Sequence, residues 1–277
     1  MKYKKPTYVG HRHEAKKSLG QNFLKSQSTL RVIIAVGEIT EKDIVLEIGP
    51  GKGALTAKLL EKAGKVIAVE KDQELFSFLQ GKFKDEIENK KLELIDGDIL
   101  GFDVHAYVGH RQYKIIANIP YNITGAILKK FLTIKNKPER MVLMVQKEVA
   151  QRIVTHNKKE SILSISVKAY GTPKLETKVP ARFFSPAPKV DSAILSIKNI
   201  SGKNFIPGVR HPENLEERFF EIVKAGFAHK RKVLIKNLEI VSKKEASEQI
   251  FKDLKIDKKI RAEDISLETW LKITKNI

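Results

Sequence analysis

The chain has 277 residues, 42% of them hydrophobic, enough for one large domain plus a smaller one with a packed core, which excludes wholesale disorder. Its 52 Lys+Arg against 33 Asp+Glu leave a net charge of +19, an excess that favours a polyanionic partner. With no cysteine, disulfides and cysteine-ligated zinc are excluded, and the 7 histidines lack the spacing of a His/carboxylate site, so no metal is expected.

Residues 1–31 carry eight basic side chains, Lys2, Lys4, Lys5, Arg12, Lys16, Lys17, Lys25 and Arg31, against the single acid Glu14. This local +7 reads as a basic arm, although a lysine-rich surface with no partner is the bland alternative. Polar residues follow Met1–Lys5, and no apolar run reaches the roughly 18 residues that a membrane span needs. A cytoplasmic, monomeric protein is the expectation. No basic amphipathic helix with a continuous apolar face stands out, which disfavours a membrane surface as the partner.

Next comes Ile44–Ile48, a short apolar run ending in Gly49-Pro50-Gly51-Lys52-Gly53, and the composition of 54–63 is helical. That reads as strand, glycine turn, helix. Further strands are predicted at 65–70, 91–95, 114–117 and 140–145, with helices at 73–83, 123–132 and 146–154. Repeated βα units of this size imply an α/β fold with an open parallel sheet covered on both faces. Two more strands, at 162–169 and 191–198, have no long helix between them and are expected to close the sheet as an antiparallel pair. Beyond a linker near 201–212 the pattern turns helical, around 214–228, 230–238, 244–254 and 266–272. The expected division is a basic arm with the start of the cofactor site at 1–31, a cofactor-binding domain at 32–202 and a small helical domain at 203–277.

The glycine turn marks a ligand site, because Gly49, Gly51 and Gly53 lack Cβ atoms and let a ligand approach the backbone at the carboxyl edge of the first strand of the sheet. Glu70 ends the next strand, where a carboxylate can accept hydrogen bonds from both hydroxyls of a ribose. Asp98 follows the third strand, placed to meet an adenine amino group. A dinucleotide-binding dehydrogenase also uses glycines and an acid. The spacing here is Gly-x-Gly-x-Gly rather than Gly-x-Gly-x-x-Gly, which favours S-adenosylmethionine over NAD.

Asn118-Ile119-Pro120-Tyr121 ends the fourth strand on the same edge. An exocyclic amine such as adenine N6 is planar and weakly nucleophilic. If the Asn118 oxygen and a backbone carbonyl near Pro120 each accept one of its N–H bonds, the lone pair is aimed at the methyl group and pyramidal geometry is favoured. Pro120 fixes the local backbone, and Tyr121 offers a face on which the base stacks.

The sequence resembles the ribosomal RNA adenine dimethyltransferases of the KsgA type, which modify two adjacent adenines near the 3′ end of small-subunit RNA. Blocks in matching order carry the resemblance: Leu19-Gly20-Gln21-Asn22-Phe23-Leu24, Leu46–Gly53, Ala117–Asn122, Val145–Ala150 and Phe184–Ala193. It implies a Rossmann-like class I methyltransferase sheet, mostly parallel with an antiparallel last strand, and a small all-α C-terminal domain. It implies S-adenosylmethionine as cofactor, with Asn22 and Leu24 joining Gly49, Gly51, Glu70, Asp98 and Asn118 as cofactor contacts. Phe184 is implied as the ring that sandwiches the target adenine opposite Tyr121, so the catalytic set is Asn118, Pro120, Tyr121 and Phe184. The implied partner is small-subunit ribosomal RNA or a pre-30S particle.

Large-subunit adenine methyltransferases of the macrolide-resistance type share this core. The block Phe227–Leu238 resembles instead the small-subunit family's Phe-x-x-Arg-Arg-Lys-x-Leu-x-Asn-Asn-Leu pattern, with His229-Lys230 and Lys236 as departures that keep the charge. Lys230, Arg231, Lys232 and Lys236 are candidate phosphate contacts on a helix whose Phe227, Val233, Leu234 and Leu238 face the core. A non-catalytic assembly or RNA-binding factor is the reading from another class, and the intact Asn-Ile-Pro-Tyr stretch argues against it.

Overall fold

Every residue of the run Ile44–Ile48 is buried, as expected for a strand covered on both faces. The computed structural model describes residues 14–155, 158–206 and 214–277. Lys2, Lys4, Lys5 and Arg12 of the basic arm, and the second half of the expected linker, lie outside the described residues.

After a 3-10 turn at Lys17–Leu19 come β1 (Phe23–Leu24) and α1 (Gln27–Gly37). The alternating region follows: β2 (Ile44–Ile48), α2 (Ala54–Leu60), β3 (Lys65–Glu70), α3 (Gln73–Lys82), α4 (Lys84–Glu88), β4 (Leu92–Asp96), α5 (Val104–Val108), β5 (Lys114–Asn118), α6 (Thr124–Thr133), β6 (Arg140–Gln146) and α7 (Lys147–Ile153). Then come α8 (Ile162–Lys168), β7 (Thr172–Val179), β8 (Phe184–Ser185) and β9 (Ser192–Lys198). The C-terminal part is helical, with α9 (Leu215–Gly226), α10 (Leu234–Leu238), α11 (Lys244–Asp253) and α12 (Leu267–Asn276). Among the described residues, no helix is long and apolar enough to cross a membrane.

The main sheet has seven strands in the order β4-β3-β2-β5-β6-β9-β7. Pairing is parallel from β4 through to β6, then antiparallel between β6 and β9 and between β9 and β7. This is the Rossmann-like methyltransferase arrangement. Strand order reverses between β2 and β5, and helices lead away from that point to opposite sides, leaving a crevice at the carboxyl edge. Both Gly49 and Asn118 sit there.

Two elements differ from expectation. The stretch expected as a strand at 162–169 forms α8 instead, and the edge strand paired antiparallel with β9 is β7. The run Leu163, Ile165, Val167 alternates with Ser164 and Ser166, which imitates a strand. Ser161 decides otherwise: its hydroxyl accepts the Ser164 N–H at 3.1 Å while the Ser164 hydroxyl accepts the Ser161 N–H at 2.7 Å, a reciprocal capping box that starts a helix. In β7, Pro173 fits because the strand lies at the sheet edge, where a missing N–H leaves no ladder bond unmade.

The second difference is that helix α10 spans only Leu234–Leu238, so Lys230, Arg231 and Lys232 precede it in an exposed turn. Asn237 holds that turn in place, its buried Nδ2 donating to the Gly226 carbonyl at 2.6 Å and the His229 carbonyl at 3.2 Å. A backbone already committed to the Asn237 amide does not continue as a helix.

One core runs from the sheet into the C-terminal helices, taking in Leu46, Leu143 and Leu195 together with Phe219, Ile222, Leu238 and Trp270. Tyr170 stacks on Phe220 at 6.0 Å and meets Phe205 at 5.3 Å, joining the end of α8 to α9. The Glu160 N–H donates to the Glu263 carbonyl at 2.7 Å, adding a polar tie across the same boundary.

Candidate active site

The crevice at the strand reversal is a cleft of about 250 Å³. Its walls are residues 18–24 from the N-terminal arm, the glycine turn 49–52, the end of β3, the loop 97–100 and the stretch 118–123. The structure therefore brings together Asn22, Leu24, Gly49, Gly51, Glu70, Asp98, Asn118, Pro120 and Tyr121, which lie far apart in sequence.

Gly49 and Gly51 both adopt left-handed backbone, with φ of 63° and 60°. A Cβ on Gly51 would stand 3.0 Å from the Phe23 ring, so only glycine lets the arm close against the turn. Glu70 is 5% exposed, and its two oxygens are held separately: Oε2 accepts the Gly51 N–H at 3.0 Å and Oε1 the Asp72 N–H at 2.9 Å. Each oxygen keeps further lone-pair capacity for a ligand hydroxyl. Burial raises the Glu70 pKa despite those two bonds. Asp98 stands at the exposed rim, where its ion pair with Lys71 at 2.8 Å keeps its carboxyl below the usual range.

Asn118 donates from Nδ2 to the Asn22 carbonyl at 3.0 Å. One N–H of the amide is thereby committed to the protein, which orients the group, and the oxygen is the acceptor left for a ligand. The Asn22 side chain folds back to donate to the Gly20 carbonyl at 3.1 Å. Pro120 has φ −61° and ψ 130°, and its carbonyl accepts the Ile123 N–H at 3.3 Å. The carbonyl of Ile119, by contrast, accepts none of the turn and loop backbone hydrogen bonds among the described residues. Tyr121 lines the cleft, with its hydroxyl bonded to Ser192 Oγ.

Phe184 departs from expectation. Its ring is 2% exposed and belongs to the core around Leu30, Ile33, Met144 and Ile194, and it is not part of the cleft wall. Pairing of β8 with β1, which sets Leu24 opposite Phe184, turns the ring inward. Lys230, Arg231, Lys232 and Lys236 are all exposed, Lys236 with a surface ion pair to Glu239 at 3.0 Å.

Several residues that build the cleft are not among the expected site residues. Gln21 bridges the arm to the sheet: its Oε1 accepts the Lys16 N–H at 2.8 Å, and its Nε2 donates to Asp72 Oδ2 at 2.7 Å. Lys16 Nζ adds ion pairs to Asp72 at 2.8 Å and Glu74 at 2.9 Å. Lys130, on α6, donates to the carbonyls of Ile99 at 2.8 Å, Leu100 at 3.0 Å and Phe102, gathering the loop that forms the far wall. Glu47 lies among the residues of the cleft wall, buried, with its carboxyl pushed up to about 8 by desolvation.

The profile of the family described as Ribosomal RNA adenine dimethylase matches residues 12–277. The chain belongs to this family. A small-subunit ribosomal RNA methyltransferase A of Dehalococcoides mccartyi is 42% identical over 268 residues, covering 95% of this chain and 89% of its own length. A dimethyladenosine transferase structure from Plasmodium falciparum superposes with a TM-score of 0.76 at 26% identity, over 91% of this chain and 95% of that one. The 23S rRNA methyltransferase ErmE superposes with a TM-score of 0.73 at 24% identity, over 92% of this chain and 99% of that one, a likeness of fold. The protein is thus an rRNA methyltransferase by family, and its sheet and cleft have the form that this chemistry uses.

Proposed function

We propose that the protein transfers methyl groups from S-adenosylmethionine to N6 of two adjacent adenines near the 3′ end of small-subunit ribosomal RNA, acting on a pre-30S particle. The observation that carries the reading is the Asn118 carboxamide, tied through its nitrogen to Asn22 at the edge of a cleft whose opposite wall holds Glu70. The cleft fits the cofactor: Glu70 offers a fixed, buried acceptor pair for a ribose, Asp98 an acceptor at the adenine end, and Gly49 a wall with nothing within 4 Å of where a Cβ would stand. When bound, the cofactor supplies an electrophilic methyl group on a sulfonium.

Asn118 Oδ1 and the Ile119 carbonyl accept the two N–H bonds of the target amine, which aims its lone pair and stabilises the charge that develops on nitrogen. Tyr121 supplies the stacking face. The cofactor would supply the methyl group to the amine nitrogen and be left as a neutral thioether, while the chain's own residues hold the amine in line and the ammonium product gives its proton to water. No strong base is required of the protein.

Preference for the small subunit rests on the 42% identical relative and on the basic block 227–238, whose Lys230, Arg231 and Lys232 stand exposed where phosphates can reach them. The division into a cofactor domain at 32–202 and a helical RNA-docking domain at 203–277 belongs to the same proposal. Mass spectrometry of adenines in small- and large-subunit RNA after incubation with labelled cofactor tests it. Dimethyladenine confined to small-subunit RNA is expected, and label in large-subunit RNA alone, or in neither, overturns it.

A further inference from the structure

Tyr121 and Ser192 are 71 residues apart, yet their hydroxyls share a hydrogen bond. Ser192 is fully buried at the first position of β9, opposite Gln146 at the end of β6, and so stands on the sheet edge that Tyr121 reaches from β5. The backbone that carries it is tied on both sides. The Asp191 carbonyl accepts the Lys147 N–H at 3.0 Å, and Asp191 Oδ1 accepts the Ala181 N–H at 3.1 Å. The Ser192 hydroxyl is therefore a fixed point. Burial raises the pKa of the Tyr121 phenol above its usual value, so near neutral pH the ring is uncharged and its oxygen is a hydrogen-bonding handle rather than a base.

We infer that Ser192 is a positioning residue of the methyl transfer: by holding the para oxygen of Tyr121 it fixes the direction of the ring's long axis and so the place of the face on which the target adenine stacks. The inference rests on the proposed role of Tyr121 as that stacking face. A tyrosine ring turns about two side-chain torsions, and rotation about the first swings the far end of the ring most. A bond at the hydroxyl is the contact that opposes this motion most directly. A stacked base follows the plane it lies on, and the amine must stay in line with the methyl group, where misplacement by about 1 Å costs roughly 10²-fold in rate. Ser192 touches neither substrate nor cofactor in this scheme. It acts through Tyr121.

The test is a double-mutant cycle with Ser192→Ala, Tyr121→Phe and the double variant, read as single-turnover methylation at saturating RNA and cofactor, with both dissociation constants measured separately. Each single variant is expected to lose about 10-fold in rate while both affinities stay within about twofold, and the double variant is expected to be no slower than either single, because both remove one bond. Singles at the wild-type rate, or losses that multiply in the double, overturn the inference. Should Ser192→Ala fail to fold, Tyr121→Phe decides alone, since it removes one oxygen and leaves Ser192 intact. Tyr121→Ala separates this from the underlying reading. If that variant keeps full activity, the stacking role itself is wrong; if it is inactive while Tyr121→Phe and Ser192→Ala match the wild type, only the positioning role falls.

Discussion

Asn118 Nδ2 donates to the Asn22 carbonyl at 3.0 Å across 96 residues of sequence, so the N-terminal arm decides which atom of the carboxamide is left for the cleft. An aspartate at 118 has no N–H to give that carbonyl and would set a charge against it. Asn118→Asp and Asn118→Ala should both lower turnover by roughly 10²–10³-fold with little change in RNA affinity, as for removal of a preorganised polar group used mainly in the transition state. Single-turnover kinetics with cofactor binding measured in parallel checks this, and an unchanged rate at saturation would remove Asn118 from the chemistry.

Glu70 is expected to control cofactor affinity. Its carboxylate is held by the Gly51 and Asp72 N–H groups, so it meets a ribose without reorganising. Glu70→Ala removes a charged acceptor for two hydroxyls, each bond being worth about 1.5–3 kcal/mol. Calorimetry should show S-adenosylmethionine binding weakened by at least about 10-fold, or roughly 1.4 kcal/mol. Binding within twofold of wild type would place the ribose elsewhere.

Glu47 should make stability fall as pH rises. Its carboxyl is buried, Oε2 has no partner among the described residues, and desolvation pushes its pKa from the ordinary 4.5 to about 8. An acid whose pKa is raised by folding binds its proton more tightly in the native state. Its contribution is therefore complete below the unfolded value and is lost as pH climbs through the folded one. Urea unfolding at about pH 5 and about pH 9 should show the wild type losing a few kcal/mol relative to Glu47→Gln, at about 1.36 kcal/mol per pKa unit. Parallel profiles for the two proteins would clear Glu47 of the effect.

The exposed turn that carries Lys230, Arg231 and Lys232 should meet RNA phosphates. Replacing all three by glutamine is expected to weaken ribosomal RNA binding and to lower the slope of log affinity against log salt by about 2–3 units, at somewhat under one unit for each phosphate no longer neutralised. S-adenosylmethionine affinity should not move. Because the three residues lie outside α10, loss of helix does not compete as an explanation, and the melting temperature should stay the same. A folded triple variant with the wild-type salt slope would make this turn an ordinary solvated surface.

Much of the molecule is legible in one dimension. The strands of the parallel region, the glycine turn, Glu70 and the Asn-Ile-Pro-Tyr stretch all announce themselves, since each depends on residues within a few positions of one another. Local pattern misleads at 162–169, where alternation imitates a strand and the Ser161–Ser164 capping box specifies a helix. It misleads again at 230–232, where the Asn237 amide claims the carbonyls of Gly226 and His229 and holds a turn. Phe184 is the instructive case at the site: the family resemblance implies a ring stacked on the target base, and pairing of β8 with β1 buries it instead.

The kinds of group available, and the strand ends on which they lie, are already specified by the order of amino acids, because turn geometry and strand burial follow from local sterics and hydrophobic pattern. The orientation of those groups is not. Asn118 on Asn22, Tyr121 on Ser192, Gln21 on Asp72 and Lys130 on the 99–102 carbonyls are hydrogen bonds between segments that meet only once the sheet has its order. A hydrogen bond needs its partners within about 3 Å and in line, and which distant segments come that close is set by strand order and register rather than by any local run of residues.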